Sequence, residues 1–158
     1  MTITFADLIP LQPLLIAILT VVLVMSAIAV KRSYVVAYRI TLFGLIVAGL
    51  VSFYLMPNTN YQVTPLLIIN AYSLFFTGVV SLTAASVCVF SFPYFLDLQD
   101  DKEEYFLLLG LATIGSIVLV SSNHFVSMII GIETISMSLY GMVAYPVQNG
   151  RSAAHALE

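Results

Sequence analysis

The sequence predicts an all-α membrane protein of about five transmembrane helices, and three observations predict it. Hydrophobic residues fill 61% of the 158 positions, charged residues fill 8%, and the mean hydropathy is +1.06. A water-soluble domain carries roughly 25% charged residues, so this chain holds about a third of the charge needed to cover a water-facing surface. The apolar residues fall in continuous runs of roughly 16 to 22, enough to cross a hydrocarbon core with little tilt, or with slight thinning for the shortest. These runs do not alternate polar and apolar residues as the strands of a membrane barrel do, so helices are the elements that satisfy the backbone in lipid.

The spans follow in order, as a single multi-pass unit over residues 1–158. The first runs from Leu14, after Pro10 and Pro13, to Val30. Ala27-Ile28-Ala29 imitates a signal-cleavage site, but no Lys or Arg precedes it. The positives Lys31 and Arg32 follow the apolar run instead, as in a retained first span. The second span runs from Ile40 to Met56 and stops at Pro57-Asn58; the third runs from Ala71 to Phe92 and stops at Pro93. The fourth runs from Tyr105 to Val120, and the fifth from Phe125 to Tyr145, ended by Pro146. Between the second and third spans, Tyr61–Ile69 is too short to cross and is read either as a short hairpin or as an interfacial segment.

Charge sets the expected orientation. Lys31, Arg32 and Arg39 flank the first connection, Lys102 lies in the third, and Arg151 follows the last span. The N-terminal segment and the second and fourth connections carry no positive residue. With five spans these groups fall on opposite sides, which puts the N-terminus outside and Glu158 in the cytoplasm. The net charge of −3 and a pI near 5.1 exclude the basic face that a nucleic-acid partner requires.

Little of the remaining chemistry rises above background. Cys88 is the single cysteine, which leaves no internal disulfide and no thiolate cluster; it is read as a small apolar residue. The acidic stretch from Asp97 to Glu104 lacks the order of a calcium loop and is read as a solvated connection whose aspartates cap the fourth helix. His124 and His155 lie far apart, with no carboxylate or thiol spaced as a metal partner. His124 is read as an interfacial cap of the fifth span, with a proton role as the alternative.

Glu133 is the one charge near the middle of a span. A carboxylate at that depth costs at least about 2.5 kcal/mol, so it is neutral, paired or beside water. Desolvation favours its neutral form and a cationic neighbour favours its charged form, and a group held between those influences suits a proton relay. The bland reading is a protonated acid that hydrogen-bonds a neighbouring helix. At 100° per residue, Ser127, Gly131, Thr134, Ser138 and Gly141 form a stripe of small side chains that permits close helix approach. Glu133 lies on the adjacent face with Val126, Ile129, Ile130, Met137 and Tyr140. Ser136, on its flank, and Tyr140 are placed either to hydrogen-bond the carboxyl or simply to pack. No membrane-embedded Lys or Arg is present to pair with Glu133, so a cationic partner is expected outside these residues.

The segment Gly131-Ile132-Glu133-Thr134-Ile135-Ser136-Met137-Ser138-Leu139-Tyr140-Gly141-Met142-Val143-Ala144-Tyr145 resembles the fifth transmembrane helix of subunit N of NADH-quinone oxidoreductase. That family is one of the antiporter-like membrane subunits of bacterial respiratory complex I. Met1-Thr2-Ile3-Thr4, Leu14-Leu15-Ile16, Thr20-Val21-Val22, Val63-Thr64-Pro65-Leu66, Asp101-Lys102-Glu103-Glu104-Tyr105 and Ser122-Asn123-His124 look like the same family. Each short apolar motif is individually weak, while Gly-Ile-Glu at this place in this order of segments is specific. Thr134 and Ser138 are mild departures, standing where relatives often have Leu and Pro.

The resemblance implies a proton-translocating subunit, multi-pass in the bacterial inner membrane with a periplasmic N-terminus. In the family the acid of the fifth helix pairs with a Lys on a later broken helix, and Glu133 alone carries over here as the proton-relay residue. No cofactor is implied in this chain; NAD, flavin, iron–sulfur clusters and quinone belong to the rest of the complex, whose membrane subunits are the implied partners alongside the lipid bilayer. The family has about fourteen helices built around inverted repeats. The chain is therefore expected to be the front portion of such a subunit, ending within a further helix at Arg151–Glu158 and unable to pump alone. Two other readings stand beside this one: a subunit of a related multi-subunit cation/proton antiporter, and a non-transporting structural piece that packs on other membrane subunits through its small-residue stripe.

Overall fold

A computed structural model describes residues 9–56, 60–62, 65–96 and 103–144. Five helices carry the chain: α1 (Gln12–Val30), α2 (Tyr34–Leu55), α3 (Ala71–Leu96), α4 (Glu103–Val120) and α5 (Phe125–Ala144). All five are long and apolar enough to cross a membrane. Two short strands, β1 (Asn60–Gln62) and β2 (Ile68–Asn70), separate α2 from α3. The architecture is that of an all-helical, multi-pass membrane protein.

Several helix boundaries differ from the sequence reading, and three of the differences have a physical reason in the structure. Helix α2 starts at Tyr34 rather than Ile40. Arg39 does not interrupt it, because it sits on an outward stripe with Val36, Phe43, Ile46, Leu50 and Tyr54, all exposed. A long basic side chain near a helix end reaches back to the interface while its stem covers apolar surface. Helix α3 does not stop at Pro93 but continues to Leu96. Proline so near a helix end removes one hydrogen bond only, and the Tyr34 hydroxyl donates to the neighbouring Phe92 carbonyl at 2.6 Å. Helix α4 begins at Glu103, with Glu103 and Glu104 in its first turn, where the helix dipole favours negative charge.

The bundle forms around α4, which packs against α1, α2, α3 and α5, while α2 also packs against α1 and α3. Small residues let the backbones approach, as expected where lipid offers no hydrophobic drive between helices. Gly44 lies under Thr20, Gly49 under Leu82, and Gly78 under Phe53. The core joins Val24, Ala37, Leu45, Ala85, Cys88 and Phe106. Cys88 thus packs as a buried apolar residue.

The two ends of the bundle are closed differently. Of the two readings for Tyr61–Ile69, the hairpin is the one found: β1 and β2 pair antiparallel, with Tyr61 opposite Ile69. Its second arm is stitched to the α4–α5 connection, where the Ile68 N–H donates to the Ser121 carbonyl and the Asn123 N–H donates to the Leu66 carbonyl, both at 2.9 Å. Pro10 and Leu11 line a small cavity there with Leu67, Ile69 and Ser121. Pro10 and Leu11, the hairpin and the fourth connection therefore share one end. At the opposite end Arg32 and Glu104 form an ion pair at 2.7 Å, both about half exposed. Glu103, read from the sequence as part of a solvated connection, is instead only 6% exposed and is not without a partner. Its burial follows from the helix beginning at this residue, in contact with the bundle. Lys102, Arg151, His155, the aspartates expected to cap α4 and the segment 151–158 lie outside the described residues.

Candidate functional site

Helix α5 begins on His124. The Val126 N–H donates to His124 Nδ1 at 3.2 Å, which fills one of the amide donors a helix start leaves without a partner. Ser127 reinforces the start: its hydroxyl lies 2.8 Å from the Leu66 carbonyl and 2.7 Å from the His124 carbonyl. The same hydroxyl accepts from the His124 N–H at 3.3 Å. The histidine is therefore placed as the cap of α5 at the hairpin end.

The small-residue stripe of α5 faces α4. Ser127, Gly131 and Ser138 are buried, and Thr134 and Gly141 are half-buried. Gly131 meets Gly115 almost backbone to backbone: a Cβ on Gly131 would stand 3.1 Å from the Gly115 carbonyl oxygen and 3.0 Å from the Leu119 nitrogen. Further along, Gly141 lies over the end of the Leu108 side chain. The hydroxyls of the stripe bond to their own helix, Thr134 to the Ile130 carbonyl at 2.8 Å and Ser138 to the Thr134 carbonyl at 2.7 Å. The stripe is thus used within this chain, against α4.

Glu133 points the other way. It lies about 120° around the helix from the stripe, and it is exposed together with Val126, Ile129, Ile130, Met137 and Tyr140. The last two are 67% and 71% exposed, so the carboxylate stands within a broad apolar face that none of the described residues covers. Ser136 is half-buried on the flank and Tyr140 lies one turn further, and neither hydrogen-bonds the carboxylate. Among the described residues, Glu133 has no ion-pair or hydrogen-bond partner. With a rise of 1.5 Å per residue, it sits about 12 Å from the start of α5 and about 16 Å from its end. A carboxylate at the midpoint of an apolar span, on its open face, is the chemically distinctive feature of the fold.

A lateral groove of about 620 Å³ runs between α3, α4 and α5, walled by Val79, Val87, Leu109, Ala112, Ile135 and Leu139 among others. Its wall is apolar, with Thr83, Thr113, Ser116 and Tyr105 as the side chains that carry oxygen. Glu133 is not part of this wall, so groove and carboxylate are separate features. Among the described residues no cluster of three or more His, Cys, Asp or Glu side chains is arranged to hold a metal ion. The sequence reasoning missed the burial of Glu103, because a run of acids beside Lys102 carries the composition of a solvated loop. The apolar Tyr105-Phe106 that follows directly is the signal that a helix begins there.

Compared with models of known protein families, the chain matches none. The functional reading therefore rests on the residues of α5 and on their resemblance to one membrane-subunit family.

Proposed function

We propose that this chain is a membrane subunit of a proton-translocating NADH:quinone oxidoreductase, with Glu133 as a proton-relay acid on a path coupled to quinone reduction. The observation that carries the reading is the position of Glu133: mid-span, on the open face of α5, and without a partner among the described residues. An ionisable group at that depth is tied to a neighbouring helix or to water, and such residues usually mark ion pathways. A helix from the rest of the assembly, laid on this face, would enclose the carboxylate. A cation carried on it would stabilise the charged form, while desolvation favours the neutral form.

The stretch Gly131–Tyr145 supports the same family, with a bacterial inner membrane location and a periplasmic N-terminus as parts of the proposal. NAD, flavin, iron–sulfur clusters and quinone are assigned to partner chains. The role of Glu133 is tested by Glu133→Gln in the assembled complex, read by NADH-driven proton uptake into inverted vesicles alongside native gel electrophoresis. The proposal expects pumping to fall by more than half while the complex still assembles. Pumping equal to wild type in a fully assembled complex would remove the role from Glu133. Proton exchange for sodium, independent of NADH oxidation, would move the chain to the cation/proton antiporters instead.

A further inference from the structure

The turn between α1 and α2 carries positive charge that finds only part of its countercharge among the described residues. Arg32 is engaged by Glu104 at 2.7 Å. Lys31 and Arg39 on either side of it are exposed, and no carboxylate among the described residues pairs with them. Arg39 is the sixth residue of α2, so its Cα lies about 7.5 Å along the helix from Tyr34. Side chains tilt towards the helix N-terminus, and the long arginine stem carries the guanidinium back towards the level of Lys31. Directly beyond Arg39 the outward stripe is hydrocarbon, with Phe43 73% exposed and Leu50 58% exposed. Two cations without an ion-pair partner among the described residues thus border an apolar strip along one helix.

We propose that an anionic phospholipid docks on this outer face of α2, its phosphate held by Lys31 and Arg39 and its acyl chains laid over Phe43, Ile46 and Leu50. Guanidinium offers a phosphate two parallel donors, and the ammonium adds a point charge beside it. Charge complementarity selects the ligand. A zwitterionic lipid brings its own cation to a site that already holds two, whereas an anionic lipid brings negative charge alone. The occupant is thereby distinguished from a partner helix, which would have to place a carboxylate at the same height to satisfy both cations.

The test uses the full chain in a non-ionic detergent, titrated with phosphatidylglycerol and phosphatidylcholine of identical acyl chains and read by native mass spectrometry. A surface cation contributes about fivefold to anionic-lipid binding, so the wild type is expected to retain phosphatidylglycerol at least about fivefold better. Lys31→Gln with Arg39→Gln should bring the ratio close to one, Arg39→Lys should keep most of it, and Arg151→Gln should leave it unchanged. Equal retention of the two lipids by the wild type overturns the proposal and needs no variant that must fold. Undiminished selectivity in the double variant, or an equal loss in Arg151→Gln, overturns it as well.

Discussion

Replacing Gly131 with Ala tests how α5 is held. The new Cβ would stand 3.0 Å from the Leu119 Cβ, 3.0 Å from the Leu119 nitrogen and 3.1 Å from the Gly115 carbonyl oxygen. These separations lie about 0.5 Å inside the distance at which carbon contacts are comfortable. Two of the three neighbours are backbone atoms of α4, which cannot rotate away, so the helices must part. Gly141→Ala is the matched control: its Cβ would approach Leu108 Cδ1 at 2.9 Å, the free end of a flexible side chain. Both changes gain the same roughly 1 kcal/mol of helix propensity, so the difference between them isolates packing. Overpacking against rigid neighbours costs about 1–3 kcal/mol, and α5 has α4 as its main support within the chain. Gly131→Ala is therefore expected to be about 1–2 kcal/mol less stable than Gly141→Ala, measured by unfolding in mixed micelles of increasing sodium dodecyl sulfate. A Gly131→Ala protein as stable as the Gly141→Ala protein would refute the close backbone contact between α4 and α5.

Two further substitutions probe the ends of the bundle. Ser127→Ala removes the hydroxyl that links the start of α5 to the Leu66 carbonyl; a loss of about 1 kcal/mol is expected, with faster amide exchange at Val126 and Asn123, and unchanged exchange there would disprove the link. Tyr34→Phe deletes the 2.6 Å bond to the Phe92 carbonyl and should cost about 1 kcal/mol. Exchange should rise in the last turn of α3, after Pro93, and not in α1.

The helices were legible because their apolar runs are long and broken by proline or charge, a signal that lipid imposes on any spanning segment. Their ends were less so. A charge such as Arg39 interrupts an apolar run and Pro93 breaks helix interiors, but near a membrane interface one snorkels and the other gives up a single hydrogen bond. The faces of α5 were also readable: the spacing of Ser127, Gly131, Thr134, Ser138 and Gly141 marks a contact stripe and sets Glu133 apart from it. Periodicity reports angles around one helix and says nothing of which neighbour lies opposite. The identity of α4 as the partner, and the openness of the carboxylate face, depend on the tertiary arrangement. The hairpin was ambiguous for a related reason, since the bonds from Leu66 and Ile68 go to Ser121 and Asn123, more than fifty residues away.

The unequal closure of the two ends has a mechanical consequence for α5. One end of that helix is fastened by main-chain bonds beside Ser121 and Asn123, whereas the ion pair at the far end involves α4 and the α1–α2 turn but not α5. A rocking of α5 about this fastened end would pivot near His124. Glu133 is about 12 Å from that pivot and Ala144 about 28 Å, so the carboxylate moves less than half as far as the tip. A change in bilayer thickness taken up in this way would displace the distal end of the helix more than twice as far as the acid.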